Sequence, residues 1–153
     1  MIARTTLKDG RWFRRYKGMF DAVLVDAPCS NVGMIRKNYK FLNAWKLEDV
    51  YSLSKLQKEL IMAAYSALKP NGTLVYSTCT LDPLENEEVV DHLLSRTKAR
   101  VERISLPLKG RKPFRDFGGR EYCKDVSKCL RIHPQDNDTE GFFVAKIVKH
   151  GCE

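Results

Sequence analysis

The chain has 153 residues, of which 43% are hydrophobic and 30% are charged, so the composition excludes a disordered protein and predicts one globular domain. No apolar run approaches the ~20 residues that cross a bilayer, and the basic residues 1–20 lack the apolar core of a signal peptide. We therefore expect an intracellular protein, cytoplasmic or, in a eukaryote, nuclear or nucleolar. The net charge of +8 favours an anionic partner such as nucleic acid, although charge alone also fits a merely soluble basic protein.

The first two predicted elements are a strand and a long helix. Residues 20–26 read FDAVLVD, a short apolar run that predicts a buried strand ending in the loop sequence DAPCS. Residues 47–68 carry apolar side chains at steps of three and four, which predicts an amphipathic helix. These side chains belong to Leu53, Leu56, Leu60, Ala64 and Leu68. Pro70-Asn71-Gly72 then breaks the helix and predicts a turn.

A second strand and a second helix follow. Residues 73–77 (TLVYS) predict a short apolar strand that ends just before Cys79. Asp82 suits a helix N-cap, and Glu85 three residues later completes a capping-box pattern. The pattern therefore predicts a helix that starts after Asp82 and runs to about Lys98.

The last third of the chain is less regular. Residues 101–106 predict a weaker strand, residues 107–140 a long loop or irregular insertion, and residues 142–148 (FFVAKIV) a final strand. Strands that alternate with helices predict an α/β fold with a largely parallel sheet. In such folds the binding residues gather beyond the carboxyl ends of the strands.

Two cysteines stand where this fold places its sites. Cys29 and Cys79 lie just past the ends of two consecutive strands, and neighbouring strands are about 4.8 Å apart, so both thiols can face one pocket. Cys79 also precedes a predicted helix N-terminus, which can lower the pKa of a thiol and raise its thiolate fraction. The chain has no CxxC pair, so neither a zinc site nor a redox dithiol is predicted.

A thiolate, an acid and a base in one site suit chemistry at carbon 5 of cytosine. Carbon 5 becomes nucleophilic only after a thiolate adds at carbon 6 and nitrogen 3 gains a proton, and a base must later remove the carbon 5 proton. Cys79, Asp26 and Cys29 can supply these groups. Each alone has a plainer explanation, because a cysteine at a strand end is usually a small buried hydrophobe and an aspartate there is often an N-cap or turn residue.

The sequences around both cysteines resemble a known family. DAPCS at 26–30 and YSTCTLDPLENEEVV at 76–90 closely resemble two motifs of the Fmu/Sun (NSUN) RNA cytosine-5 methyltransferases. The resemblance implies a Rossmann-like class I methyltransferase sheet, S-adenosyl-L-methionine as methyl donor, and rRNA or tRNA as substrate. It also implies that Cys79 is the nucleophile, that Cys29 assists product release, and that Asp26 contacts the cytosine. DNA cytosine-5 methyltransferases lack the second strand-end cysteine, and amino-methyltransferases need no thiol, so both fit less well.

The same resemblance identifies residues near the cofactor. A family aspartate that contacts the cofactor matches Asp9, and the motif after the first strand brings Asp26, Ala27 and Pro28 beside it. HPQDNDTEGFFVAKI at 133–147 is similar to the family's final strand. The resemblance thus extends over about residues 7–148.

The sequence departs from the family in two places. Asn31 stands where the family usually has Gly, and Asn tolerates a left-handed backbone better than most residues. The family's Gly-rich cofactor loop should precede Asp9, and the chain begins too late to contain it. The resemblance therefore implies a partial catalytic domain over residues 1–153, truncated at its N-terminus, with the strand at 20–26 at an exposed edge.

The missing loop leaves two functional readings open. The first is an enzyme that transfers a methyl group from S-adenosylmethionine to carbon 5 of cytosine in RNA. Because the loop is missing, we expect this chain alone to bind S-adenosylmethionine poorly and a missing N-terminal half, supplied by another chain, to restore the binding. The alternative is a non-catalytic RNA-binding fragment or one half of a split methyltransferase.

The basic insertion at about 107–140 predicts RNA contact. Its basic residues alternate with aromatic ones, a pattern that suits phosphate contact and base stacking, although a solvated loop is the plainer alternative. The candidate RNA-binding residues are Arg36, Lys37, Lys112, Arg131 and His133.

Overall fold

Short strands build a five-stranded mixed sheet and a separate two-stranded sheet of β4 and β5 in the computed structural model, which describes residues 3–151. The strands are β1 (Phe20–Asp26), β2 (Leu68–Thr78), β3 (Ala99–Glu102), β4 (Asp116–Phe117), β5 (Arg120–Glu121), β6 (Leu130–Ile132) and β7 (Phe142–Lys149). The α-helices are α1 (Lys40–Ala44), α2 (Leu47–Ala67), α3 (Glu87–Leu94) and α4 (Pro134–Asn137). Short 3-10 helices occupy Gly10–Arg15, Val32–Met34 and Lys124–Lys128. None of the helices described is both long and apolar enough to cross a membrane.

The sheet has the order β1-β2-β7-β3, with β6 paired to the other end of β7. β1 and β2 are parallel, whereas β7 is antiparallel to both of its main neighbours. β1, β2 and β3 therefore run in the same direction, but the prediction of a largely parallel sheet is correct for only one strand pair. β1 is the last strand on its side, as expected from the sequence.

The long helix fits its predicted position, but the strand after it, predicted over residues 73–77, spans Leu68–Thr78. α2 ends at Ala67, one residue before the predicted end, and β2 starts directly after it. Phe20 of β1 pairs with Leu68, but Ala22 pairs with Thr73, so residues 69–72 form a bulge in β2. This bulge contains the predicted Pro-Asn-Gly turn.

The second predicted helix is much shorter than expected. α3 begins at Glu87 and ends at Leu94. The Asp82 carboxylate accepts a hydrogen bond from Leu84 N at 2.9 Å, so it caps a turn before the helix and not the helix itself. The predicted capping role of Glu85 is also wrong, because its side chain is fully buried and points toward α2 and the loop after β1.

The predicted insertion is more ordered than a loop. It contains the β4–β5 hairpin, whose turn residues Gly118 and Gly119 have φ values of 58° and 79° that favour glycine. It also contains a 3-10 helix, β6 and α4. Tyr122 and Val126 from this segment are buried in the main core together with residues of α3 and β7.

Candidate active site

The two cysteines meet at the carboxyl ends of β1 and β2. Asp26, the last residue of β1, pairs with Ser77 near the end of β2, so the parallel strands finish at the same level. The loops that follow bring the Sγ atoms of Cys29 and Cys79 to 3.2 Å. The predicted juxtaposition of the two thiols is therefore present. We call residues 26–31 and 77–86 the thiol edge.

Backbone contacts fix the position of the first loop against the second. Ala27 N donates to Ser77 O at 3.0 Å, and Gly33 N donates to Cys79 O at 2.9 Å. A Cβ atom at Gly33 would lie 2.6 Å from Cys79 O and 2.4 Å from Gly141 O. Only glycine lets the chain approach the Cys79 carbonyl this closely.

Asn31 completes the contacts of the thiol pair. Its φ of 58° lies in the left-handed region, which fits the expectation that Asn can replace Gly at this position. Its side chain does more than tolerate the turn, since Oδ1 lies 2.9 Å from the Cys79 Sγ and 3.8 Å from the Cys29 Sγ. No sequence pattern predicted this contact.

A buried carboxylate lies beneath the thiol edge. Glu85 accepts hydrogen bonds from Ser30 N at 3.0 Å, from the Ser30 hydroxyl, and from Gln57 Nε2 at 2.9 Å. Tyr76 donates its hydroxyl to Glu85 O at 2.6 Å. Burial raises the pKa of the Glu85 carboxyl above its usual value. Glu85 therefore links α2 to the loops that carry both cysteines.

The two thiols affect each other's ionisation in opposite directions. The hydrogen bond from the Cys29 thiol lowers the pKa of Cys79 to about 7, against the effect of burial. The same contact, together with burial, raises the pKa of Cys29. Cys79 is therefore the stronger candidate for the thiolate. The cause differs from the predicted one, because the N-terminus of α3 lies eight residues beyond Cys79.

The residues predicted to lie near the cofactor share a groove along β1. Asp9, Asp26 and Pro28 line a cavity of about 590 Å³ whose wall is formed by apolar residues of β1 and α2. Ala27 is buried and is not among the residues that line this groove. Two carboxylates beside an apolar wall suit a ligand that combines hydroxyl groups with a flat ring, so the residues present fit an adenosine-containing cofactor.

The aspartates of the groove differ in their contacts. Asp9 accepts hydrogen bonds from Arg11 N and from the Arg11 guanidinium, and these contacts lower the pKa of Asp9 to about 2. Asp26 is exposed and accepts only from the Ser77 hydroxyl, at 3.1 Å. Asp26 is thus the carboxylate that remains available next to Cys29.

Three of the predicted RNA-binding residues lie at the surface. Arg36 is exposed and pairs with Asp138 at 2.5 Å, and Lys37 pairs with Glu140 at 3.7 Å. Lys112 is exposed and makes no ion pair among the residues described. His133 is half-buried at the start of α4, and burial lowers its pKa.

Arg131 must be reassigned. It is 2% exposed, and its guanidinium donates to Glu87 Oε1 at 2.6 Å and to Leu81 O at 2.9 Å. A buried arginine that is bonded in this way cannot reach RNA phosphates, so the prediction of an RNA contact is wrong for Arg131. It fastens β6 to α3 and to the thiol edge.

Comparison with known proteins gives consistent relatives. A model of the 16S rRNA methyltransferase RsmB/F family matches residues 2–148. The chain is 60% identical over 149 residues to a tRNA (cytosine(49)-C(5))-methyltransferase of Pyrococcus abyssi, covering 97% of this chain and 48% of that protein. It is 46% identical over 142 residues to ribosomal RNA small subunit methyltransferase F of Shewanella denitrificans, covering 92% of this chain and 27% of that protein. The chain thus spans about half or less of these relatives' length.

Solved structures with similar folds include two proteins of Pyrococcus horikoshii. NSun6 with SFG superposes with a TM-score of 0.78 at 29% identity, covering 96% of this chain and 34% of that chain. A methyltransferase homolog protein superposes with a TM-score of 0.74 at 32% identity, covering 86% of this chain and 40% of that chain.

Proposed function

Because this chain belongs to the 16S rRNA methyltransferase RsmB/F family, we propose that it carries the cytosine-reacting part of an S-adenosylmethionine-dependent RNA (cytosine-5) methyltransferase. The observation that carries the proposal is the 3.2 Å contact between the Cys29 and Cys79 Sγ atoms. Asp26, the last residue of β1, precedes Cys29 by three residues. The substrate is rRNA or tRNA. The tRNA methyltransferase at 60% identity makes tRNA the first substrate to test.

Cys79 is proposed as the nucleophile. Its thiolate adds to carbon 6 of cytosine, nitrogen 3 gains a proton, and carbon 5 becomes electron-rich. After carbon 5 has been methylated, a base removes its proton, the bond between Cys79 Sγ and carbon 6 breaks, nitrogen 3 gives up the proton that it gained, and the thiolate is restored. A pKa of about 7 supports this role, because a large fraction of Cys79 is then ionised near neutral pH.

Cys29 and Asp26 are proposed to assist. The Cys29 thiol can donate a hydrogen bond to the departing Cys79 thiolate, which favours release of the product. Asp26, exposed next to the thiols, can bind the polar edge of the cytosine ring. The three side chains are thus proposed to act in different ways: Cys79 attacks carbon 6, Cys29 assists product release, and Asp26 binds the base.

The cofactor is proposed to bind along the groove at Asp9, Asp26, Ala27 and Pro28. When bound, S-adenosylmethionine supplies the methyl group that carbon 5 receives. SFG, an analogue of S-adenosylmethionine, accompanies the similar NSun6 of P. horikoshii, and this supports the choice of cofactor. The chain's own task in this groove is to hold polar groups with Asp26 and to exclude water with the apolar wall of β1.

The open side of this groove is proposed to be closed by further protein. Leu24 on the outer strand β1 is 68% exposed, an unusual state for an apolar side chain in the middle of a sheet strand. The relatives contain at least as much sequence again as this chain spans. We propose that the remaining part of such a protein, in the same or another chain, pairs with β1.

Trapping the covalent adduct tests the proposed nucleophile. The chain is mixed with the part of the P. abyssi methyltransferase that it does not span, S-adenosylmethionine, and a tRNA transcript that contains 5-fluorocytosine, whose fluorine cannot be removed as a proton. We expect a covalent protein–RNA band with the wild type and none with Cys79→Ala. The Cys29→Ala variant should form the band and also retain an adduct with ordinary RNA.

Two outcomes would refute this assignment. An adduct that persists in Cys79→Ala would move the nucleophile to another residue. Tight RNA binding without any adduct in the complete mixture would favour a non-catalytic RNA-binding protein.

A further inference from the structure

A basic groove lies along the outer face of α2. It is bordered by the 3-10 helix Gly10–Arg15, by α2 and by α3, and it encloses about 730 Å³. We call it the basic groove and define it by its cations Arg14, Arg15, Lys17 and Lys55. None of the predicted RNA-binding residues lines it.

The positive charge of the basic groove is not neutralised by the fold. Two further cations in the groove are paired, Arg11 with Glu59 at 2.7 Å and Lys58 with Glu88 at 2.6 Å. The other four cations are exposed and make no ion pair with a carboxylate among residues 3–151. Arg15 instead stacks on Trp12, with its guanidinium carbon 4.6 Å from the ring centre. Four uncompensated charges in one concave surface attract a polyanion and contribute little to folding.

The position of α2 connects the basic groove with the thiol edge. At one end Ser54 Oγ donates to Leu84 O at 2.6 Å, which places this end beside the loop of Cys79. At the other end Ser66 Oγ donates to Arg14 O at 3.3 Å. Ser54 and Ser66 are 12 positions apart, which corresponds to about 18 Å along the helix. A polyanionic chain such as RNA that is bound along the groove therefore arrives next to the proposed active site.

The end of the groove nearer the thiol edge also carries an aromatic surface. Tyr51 lines the groove and is 56% exposed. An exposed tyrosine beside a row of cations suits a nucleic acid better than an acidic peptide, because a base can stack on the ring while phosphates bind the cations. Charge and aromatic exposure thus point to the same class of ligand.

We propose that the basic groove binds the sugar–phosphate backbone of the substrate RNA on its way to the thiol edge. The inference rests on the proposed function for the identity of the RNA. It adds a second RNA surface, formed by the opposite side of α2 from the one that contacts Pro28 through Gln57.

The test uses two triple variants of the 153-residue chain with the same change in charge. Arg14→Gln, Lys17→Gln and Lys55→Gln remove three groove cations and leave the Arg15–Trp12 stack intact. Lys98→Gln, Arg100→Gln and Arg103→Gln remove three exposed cations at and beside β3. Binding of a fluorescein-labelled tRNA transcript is measured by anisotropy at several salt concentrations, and circular dichroism confirms that both variants are folded.

We expect the groove variant to bind at least tenfold more weakly and the β3 variant less than twofold more weakly. Each lost phosphate contact should reduce the slope of log K against log salt by about 0.9, so the groove variant should lose between two and three units of slope. Equal losses in both variants would show that only net charge matters and would overturn the proposal. An unchanged affinity in the groove variant would also overturn it.

Two further measurements separate this inference from the proposed chemistry. Adduct formation and transcript binding are measured on the same wild-type preparation, so a failure of adduct formation with intact binding through the groove would refute the proposed chemistry and leave the groove inference standing. Vesicles of phosphatidylglycerol test the other large anionic surface. Binding to such vesicles through the groove cations, without binding to the transcript, would refute the RNA assignment.

Discussion

The carboxyl end of β1 and its outer edge differ in how well other residues support them. At its carboxyl end, the thiol edge is held by hydrogen bonds that the buried side chains of Gln57 and Tyr76 donate to Glu85. Along its outer edge the strand pairs with nothing among the described residues and exposes 68% of Leu24. The groups proposed to act on cytosine are thus positioned within this chain, whereas the proposed cofactor groove runs along a strand that has no neighbour on its outer side among the described residues.

The contrast indicates which part of the chemistry this chain can perform alone. The ionisation of Cys79 depends on Cys29 and Asn31, which lie in the same chain and in direct contact. Thiol reactivity should therefore be present without any partner. Cofactor binding should depend on whatever covers β1, because an open half-groove leaves much of a bound ligand in water.

The largest expected effect comes from breaking the support behind the thiol edge. Arg131→Ala would leave Glu87, which is fully buried, as an unpaired charge, and such losses cost about 3–5 kcal/mol. We therefore expect the free energy of unfolding, measured by urea denaturation, to fall by this amount. Arg103→Ala, at an exposed residue, is the control and should change it by less than about 0.5 kcal/mol. A loss of RNA affinity without a loss of stability would restore the RNA-binding role of Arg131.

A smaller effect is expected on the pH dependence of Cys79. The hydrogen bond from Cys29 lowers the pKa of Cys79 to about 7, so the thiolate predominates above this pH. Cys29→Ala removes the donor, and the pKa should rise toward the ordinary value of 9.0. At pH 7 the rate of alkylation of Cys79 by iodoacetamide, followed by peptide mass spectrometry, should fall by roughly 50-fold.

Two further variants test which contacts set the pKa of Cys79. Cys29→Ser keeps a hydroxyl donor and should leave the midpoint of alkylation close to pH 7. Asn31→Ala removes an acceptor that favours the protonated thiol, so it should move the midpoint to lower pH. A midpoint that rises in Asn31→Ala would mean that the amide nitrogen, and not the oxygen, faces Cys79 Sγ.

The strongly apolar segments were predictable from the sequence. β1 occupies residues 20–26 as predicted, and α2 differs from its prediction by one residue, because each has a hydrophobic pattern long enough to determine its structure. The meeting of Cys29 and Cys79 followed from strand ends that lie side by side in a parallel pair. A local pattern and one topological rule were sufficient for the centre of the site.

The errors have non-local causes. Glu85 matched a capping box, but its carboxylate satisfies Ser30 and Gln57, which lie 55 and 28 residues away in sequence. Arg131 looked like one of many basic loop residues, and only the fold brings it to Glu87. The short strand β6 has three residues and exists through its pairing with β7. The partners of Glu85 and Arg131 lie far away in sequence, and β6 is too short to be recognised without the strand that it pairs with.

The smallest expected effect concerns the outer edge of β1. Leu24→Lys places a charge on a side chain that is already 68% exposed, so the free energy of unfolding of the chain should change by less than about 0.5 kcal/mol. Leu74→Ala, in the neighbouring strand and fully buried, should lower it by about 2–5 kcal/mol. The two residues thus compare the open and the closed side of the same strand pair.

If further protein pairs with β1, Leu24→Lys should also abolish binding of the part of the P. abyssi methyltransferase that this chain does not span. Calorimetry measures this binding, and alkylation of Cys79 should continue at the wild-type rate. Unchanged binding in Leu24→Lys would show that the outer edge of β1 is not the docking site, and a large loss of stability would show that this edge is already covered within the chain.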